Sequence, residues 1–464
     1  MRLRHFLLVG CFVLSTSIFA TFKHYRVPDV DVALSNALRL VEFRDERIPL
    51  IAMHVVFPFG YRNDPKGKAG LVSLLSSVLK RGNNGRSASE VVRALELLGA
   101  ELSVRAGEDQ TVISVEGLSR DWKALLHELR LAVTHPNLEE KEVRFVKDLV
   151  SGSIKHLIER PSAIAGTLLG KELFASTPYE RGTFDRLREI KKVSAEDLKK
   201  FHKEQFIPGG AIFMVVGKIE DSSFQAEVEK EFSEWRSNEK HTFGLAPVKY
   251  ERKDIPKSLF VYRKGLTQAN VMMGLRMPAI RHPDRPALAV ANVILGRMFT
   301  SRLMRIVRDE LGWTYSIMSQ FSDEGYYSNL EIVASTRNEK VGPLLNKVNE
   351  IVESLWKHPP SAEEVQNAVS FILGSAPIEF SSIGAFAQSW LGYEVMGYPK
   401  AEAEAVYDKF SAITPKDVRE AVERHLKGRK WTYAIAGSID AVNMDLKGWQ
   451  KIDAATVLAP YFAQ

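Results

Sequence analysis

A single cysteine, Cys11, stands among 464 residues. That excludes an intramolecular disulfide framework and every multi-cysteine zinc or iron–sulfur site. The chain has no apolar run of the ~20 residues that a membrane-spanning helix needs; the segment Phe6 to Ala20 comes nearest and falls short. There is no basic stripe interleaved with aromatics either. The 63 lysines and arginines are mixed with 57 acidic residues for a net charge of +6, which describes a solvated surface and gives no nucleic-acid footprint. None of the eleven histidines lies three or four residues from another, so no helix carries a two-histidine zinc face. No G-x-S-x-G elbow exists to present a serine nucleophile. What is present is an ordinary globular balance, 45% hydrophobic and 26% charged. At about three times the ~150-residue size of one domain, the length predicts at least two domains.

Arg2 and Arg4 precede the uncharged segment Phe6 to Ala20, the arrangement of a secretory signal. Residues 1–21 are read as a signal peptide or, with the apolar run carried to Phe22, as an uncleaved membrane anchor. Leu8-Val9-Gly10 ahead of Cys11 has the outline of a lipoprotein box, but the hydrophobic region ending there is only about five residues long. The expectation is export to the periplasm or the membrane. A mature chain without cysteine fits an oxidising compartment.

The remainder repeats itself. Val193-Ser194-Ala195-Glu196-Asp197-Leu198 matches Ile413-Thr414-Pro415-Lys416-Asp417-Val418, each a Ser or Thr cap opening an amphipathic helix with acid in its first turn. Each helix leads to an apolar strand ending in glycine, AIFMVVGKI and WTYAIAGSI. Val193 to Ile413 and Gly217 to Gly437 are both 220 residues apart, so the segments align without a gap. Two homologous halves follow: residues 30–240, a polar linker at 241–256, and residues 257–464. Within the first half, RIPLIAMHVVFPFG reads as a strand, Ala69 to Lys80 as a buried helix, and SASEVVRALELLG as a helix stopped at Gly99. ELSVRAGEDQTVISVEGL reads as a strand pair, giving an α+β pattern with helices on one face of a sheet.

The duplication, the segment GKAGLVSLLSSVLKRG and the segment NVILGRMFTSRLMRIVRDELGWTYSIMSQF together resemble the pitrilysin-type (M16) zinc peptidases, from about Val32 to Gly437. The resemblance implies two homologous M16-like domains, each a sheet covered by helices on one face, forming half of a clam-shell chamber. Active members carry H-x-x-E-H on the helix after the first hairpin, two histidines for zinc and a glutamate for the attacking water. Aligned on Gly70 and Leu71, the histidine positions here are Ser73 and Ser77, the glutamate position is Ser76, and the downstream ligand position is Ser153. Neutral hydroxyls are poor zinc ligands and do not ionise near neutral pH, so no metal is expected on this chain. His54, on a predicted strand, and His156, on a predicted helix, read as packed or surface residues.

A second element survives. Arg308 closes a predicted helix, Gly312 stops it, and Tyr315 lies early in the next strand. The spacing resembles the Arg–Tyr pair that the second M16 domain lends to the active site. There the guanidinium holds a substrate carbonyl and the phenol donates to the developing oxyanion. The resemblance implies a homologous partner subunit with an intact H-x-x-E-H and its own zinc, a heterodimer acting on peptides, with Arg308 and Tyr315 donated from this chain. A long glycine-rich loop, as in the inactive subunit of the mitochondrial processing peptidase, is not seen in LGRMFTSRL. Two other readings stand beside this one: a pseudopeptidase that only binds or scaffolds, and a self-sufficient hydrolase, which the missing motifs disfavour.

Overall fold

Helix starts in this chain are fixed by side-chain caps. Ser87, Ser194 and Thr414 each accept the backbone N–H three residues on, and Glu90, Asp197 and Asp417 return a bond to the cap's own N–H. Such reciprocal boxes satisfy donors that a helix leaves open. The computed structural model describes residues 25–158, 160–219, 223–243, 256–379 and 382–455. The signal segment with Cys11 and most of the linker lie outside the described residues.

In the first half the order is β1 (Val30–Ala33), β2 (Arg39–Arg44), β3 (Leu50–Phe57), α1 (Leu71–Val78), the short β4 (Gly82–Asn83) and β5 (Arg86–Ser87), α2 (Ala88–Leu97), β6 (Glu101–Ala106) and β7 (Thr111–Leu118). Then come α3 (Trp122–Thr134), α4 (Glu140–Ile158), α5 (Pro161–Leu173), α6 (Thr183–Ile190), α7 (Ala195–Gln205), β8 (Ile212–Gly217) and α8 (Phe224–Glu231). The second half runs β9 (Ser258–Tyr262), β10 (Gln268–Met277), α9 (Arg285–Asn292), two π-helical segments at Val293–Arg297 and Met304–Glu310, β11 (Ile317–Glu324) and β12 (Tyr327–Arg337). It continues through α10 (Val341–Lys357), α11 (Ala362–Glu379), α12 (Ile383–Val395), α13 (Lys400–Glu404), α14 (Asp408–Ser411), α15 (Pro415–His425), β13 (Thr432–Gly437) and β14 (Gln450–Asp453).

The two six-stranded sheets have the orders β1-β2-β8-β3-β7-β6 and β11-β12-β10-β13-β9-β14. Without the outer strands β1 and β14, they are the same sheet. β2 pairs parallel with β8 as β9 does with β13, and the remaining neighbours pair antiparallel in both. α7 and β8 recur as α15 and β13 with all four boundaries displaced by 220 residues.

Each sheet buries one face under helices of its own half. Ile51, Met53, Val55 and Phe213 pack on α1, α3 and α7 in the first; Val271, Met273 and Ile435 pack on α9, α10 and α15 in the second. The opposite faces are apolar as well, and each is covered from the other half. Val41, Phe43 and Met214 lie under Ile383, Trp390 and Leu391 of α12, while Leu259, Val261 and Ala434 lie under Ile164, Leu169 and Leu173 of α5. Trp390 meets Phe43 edge-on at 5.7 Å, and Arg39 of β2 reaches Glu394 of α12 at 2.6 Å. On the other side, Arg276 Nε donates to Leu173 O at 2.6 Å. Gly274 on β10 makes that approach feasible, since a Cβ there would sit 2.4 Å from Leu173 Cδ1.

This exchange makes the halves interdependent. Trp390→Ala should cost about 3–5 kcal/mol, the range for deleting a buried aromatic. It should lower one common unfolding transition in calorimetry. A variant in which only the second half loses stability would show that the two sheets melt separately.

A polar contact also joins the halves. Glu324, at the end of β11, is half-buried near Glu108 and Asp109 of the β6–β7 hairpin. Arg186 pairs with Glu108, and Asp109 accepts from Arg62 Nε at 2.5 Å and Tyr179 Oη at 2.8 Å. Burial, then Glu108, Asp109 and Asp323, push Glu324 up to about 7 from the usual 4.5. A raised carboxyl favours the protonated folded form, so its stabilising effect is full below pH ~4.5 and disappears as pH rises through ~7. Glu324→Gln should therefore flatten the fall in urea midpoint between pH 4.5 and 7. An unchanged pH profile would mean that Glu324 titrates as an ordinary surface carboxylate.

Candidate functional site

Gly70 caps α1 in a left-handed conformation, φ 92°, and has no side chain with which to satisfy the first N–H groups. Asp64 does so from the preceding loop, accepting Gly70 N–H at 2.6 Å and Val72 N–H at 2.8 Å. Burial raises its carboxyl to about 6 against the pull of those two donors and of Arg186 and Arg181. Sequence reasoning missed Asp64; the one available signal was a glycine at a helix start, which requires a cap from elsewhere. α4 packs against α1, so the downstream ligand position comes from the helix beside the motif helix.

Two of the three serines on α1 are occupied by their own helix. Ser76 is buried and its Oγ donates to Val72 O at 2.8 Å; Ser77 Oγ donates to Ser73 O at 3.1 Å. Ser73 lies near the Tyr61 hydroxyl. Ser153 lies on α4, and its side chain is outside the described residues, as is that of His156. Neutral hydroxyls carry no charge for zinc, and those of Ser76 and Ser77 are turned back onto the helix, so α1 does not fit the metal. His54 is a packed residue: its Nδ1 lies 2.7 Å from Ser114 Oγ, and burial, reinforced by Arg105, holds it down at about 4. Among the described residues, His282, Asp284 and His425 bring ligand-type atoms within 4.8 Å of one another. Asp284 Oδ2 there accepts His425 Nε2 at 2.7 Å and pairs with Arg424, and a guanidinium at that oxygen repels a metal ion.

Arg308 and Tyr315 come together. Both line a pocket of about 610 Å³ with Gln268, Trp313 and Arg337. Two local features differ from the sequence expectation. Met304–Glu310 winds as a π-helix, and Gly312, φ 60°, ends it by donating to Arg308 O at 3.1 Å. Tyr315 precedes the strand, which begins at Ile317. The reason lies in Thr314, whose Oγ1 is 2.7 Å from Ser316 O and 2.6 Å from Ser335 O and also accepts Ser316 N–H. Those local bonds tie the backbone into a bend before the ladder starts. Tyr315 is left turned outward and 89% exposed. Arg308 lies 4.3 Å over the ring of Phe299, itself 67% exposed, and its buried Nη1 has no acceptor among the described residues.

Residues 42–186 match the family model for insulinase (peptidase family M16), and residues 192–371 match that for the peptidase M16 inactive domain. The chain belongs to the M16 family. It is 22% identical over 400 residues to the non-peptidase homolog YmxG of Helicobacter pylori, covering 84% of this chain and 90% of that one. A peptidase M16 inactive domain structure from Pseudomonas fluorescens superposes with TM-score 0.78 at 21% identity, covering 89% of this chain and 98% of that chain. The periplasmic protease PqqL of Escherichia coli superposes with TM-score 0.72 at 16% identity, covering 94% of this chain and 49% of PqqL. Among the described residues of this M16 chain no single helix is long and apolar enough to cross a membrane.

The purified M16 chain should hold no stoichiometric zinc and cleave no peptide. Elemental analysis finding one zinc per chain, lost on mutating Ser73 or Ser77, would overturn the serine alignment. A site requires all its ligands together, so single restorations should do nothing. The smallest rescue is Ser73→His, Ser76→Glu, Ser77→His and Ser153→Glu combined.

Proposed function

We propose that this chain is the non-catalytic subunit of a heterodimeric M16 zinc endopeptidase, exported to the periplasm or held at the membrane. It lends Arg308 and Tyr315 to the zinc site of a homologous partner with an intact H-x-x-E-H. The observation that carries this reading is the state of two side chains. An arginine with an unbonded Nη1 shares a pocket with a tyrosine that is 89% exposed. Within one subunit neither arrangement adds stability: a buried donor without an acceptor costs about 1–3 kcal/mol.

In the assembled site the guanidinium binds a carbonyl of the peptide near the scissile bond, and the phenol donates to the oxyanion as charge develops. Donors of that kind act on turnover more than on binding, because the charge exists only in the transition state. This chain supplies no general base and no metal, consistent with the serines on α1. A pseudopeptidase that binds peptides or scaffolds a partner would use the same chamber without chemistry.

The test is co-purification with the zinc-bearing subunit and comparison of kinetics. Tyr315→Phe should lower kcat on the order of 100- to 1000-fold while the complex still assembles. Arg308→Ala should do the same and also raise apparent KM, since a carbonyl clamp acts in the ground state as well. Melting temperatures should hardly move with Tyr315→Phe, because its side chain is almost fully exposed. Full activity in the Tyr315→Phe complex would leave this chain as a binding or scaffolding pseudopeptidase.

A further inference from the structure

The second half carries a cavity of about 870 Å³ bordered by α9, the π-helical segment Val293–Arg297, the edge strand β11, α11 and α14. That size falls within the ~300–1,000 Å³ range of small-molecule sites. Its place in the fold is the counterpart of the α1 region. α9 follows β10 as α1 follows β3, β11 is a sheet edge as β6 is, and α11 packs on α9 as α4 packs on α1. The second half therefore has an open cavity beside α9, the helix that stands where α1 stands in the first half.

The lining is mixed: Ile280, Val293, Met318, Phe321, Ile372 and Phe410 give it an apolar part, set among charged and polar side chains. Its two carboxylates are already committed: Asp323 to Arg285 at 2.7 Å, and Glu402 to Arg281 at 3.3 Å. Two further cations on the lining, Arg297 and Lys409, are exposed and have no ion pair among the described residues. The surplus charge of the cavity is therefore positive. Asn292 also borders it, 3% exposed, and its buried Oδ1 accepts no hydrogen bond among the described residues. A partly apolar chamber with surplus positive charge and an unsatisfied carboxamide in its wall suits a ligand that has both an apolar body and an anionic group.

We propose that this cavity binds a small amphipathic carboxylate, an apolar chain whose anionic head lies at Arg297 and Lys409 and whose body fills the space between Met318, Phe321 and Phe410. The site is separate from Arg308 and Tyr315, which line a different pocket, so the proposal stands or falls independently of the peptidase-subunit reading.

Calorimetric titration of the full mature chain with dodecanoate, below its micelle concentration, tests it. Saturable one-site binding is expected, with dodecylamine at the same concentrations giving none. Arg297→Glu with Lys409→Glu replaces attraction at the rim by repulsion and should weaken dodecanoate on the order of tenfold, with Tm unchanged. Ala289→Trp, filling the cavity from α9, should abolish binding; should it fail to fold, the exposed double variant decides alone. Absence of saturable binding, equal binding of dodecylamine, or dodecanoate binding unchanged in the double variant would each overturn the proposal.

Discussion

The structure depends on one reciprocal arrangement: each half lends the other a helix. α5 leaves the first half to cover the second sheet, and α12 leaves the second half to cover the first. A sheet whose strands are apolar on both faces cannot leave one face in water, because each buried aliphatic or aromatic side chain contributes about 1.5–3 kcal/mol. Neither half is closed on itself in that sense. The duplicated chain is a single cooperative object, although its two sheets have separate cores and the same strand order.

That constraint also positions the chemistry. With both faces of each sheet covered, side chains free to act are those on the bordering helices, the sheet edges and the loops between them. α1 begins just past β3, and its N-terminal donors are held by Asp64 instead of by a substrate or an ion. Arg308 and Tyr315 flank the turn that leads into the edge strand β11, where Thr314 halts the ladder and turns the phenol outward. The two sites have met opposite fates. On α1 the hydroxyls of Ser76 and Ser77 are absorbed into the helix, whereas Arg308 keeps a buried Nη1 without an acceptor among the described residues and Tyr315 faces outward.

Much of this was legible in the residues. Ser194 with Asp197 and Thr414 with Asp417 marked two helix starts, and the glycines at 217 and 437 marked two strand ends, because caps and left-handed or close-packed glycines are local chemistry. The alternation in β3, β6 and β7 was equally visible. The exchange of helices was not. PSAIAGTLLGKEL and IGAFAQSWLGYEV spread their apolar residues around the helix instead of gathering them on one face, so nothing in them says which sheet they will cover. Asp64 was hidden for a related reason: its role comes from a glycine six residues away and from burial, neither of which a spacing rule detects. Tyr315 was read as lying inside a strand that begins only at Ile317, because a threonine bonding to neighbouring carbonyls looks, in sequence, like a good strand residue.

The path of α12 has a consequence for synthesis. The first sheet is complete when β8 has emerged, but the helix that covers its outer face begins only at Ile383. At ~5–20 residues per second, a nascent chain spends on the order of ten to thirty seconds with Val41, Phe43 and Met214 uncovered. During that interval the first half presents an unprotected apolar sheet face, which is the surface that chaperones bind and that promotes aggregation. The domain that emerges first cannot settle fully before the second has followed it.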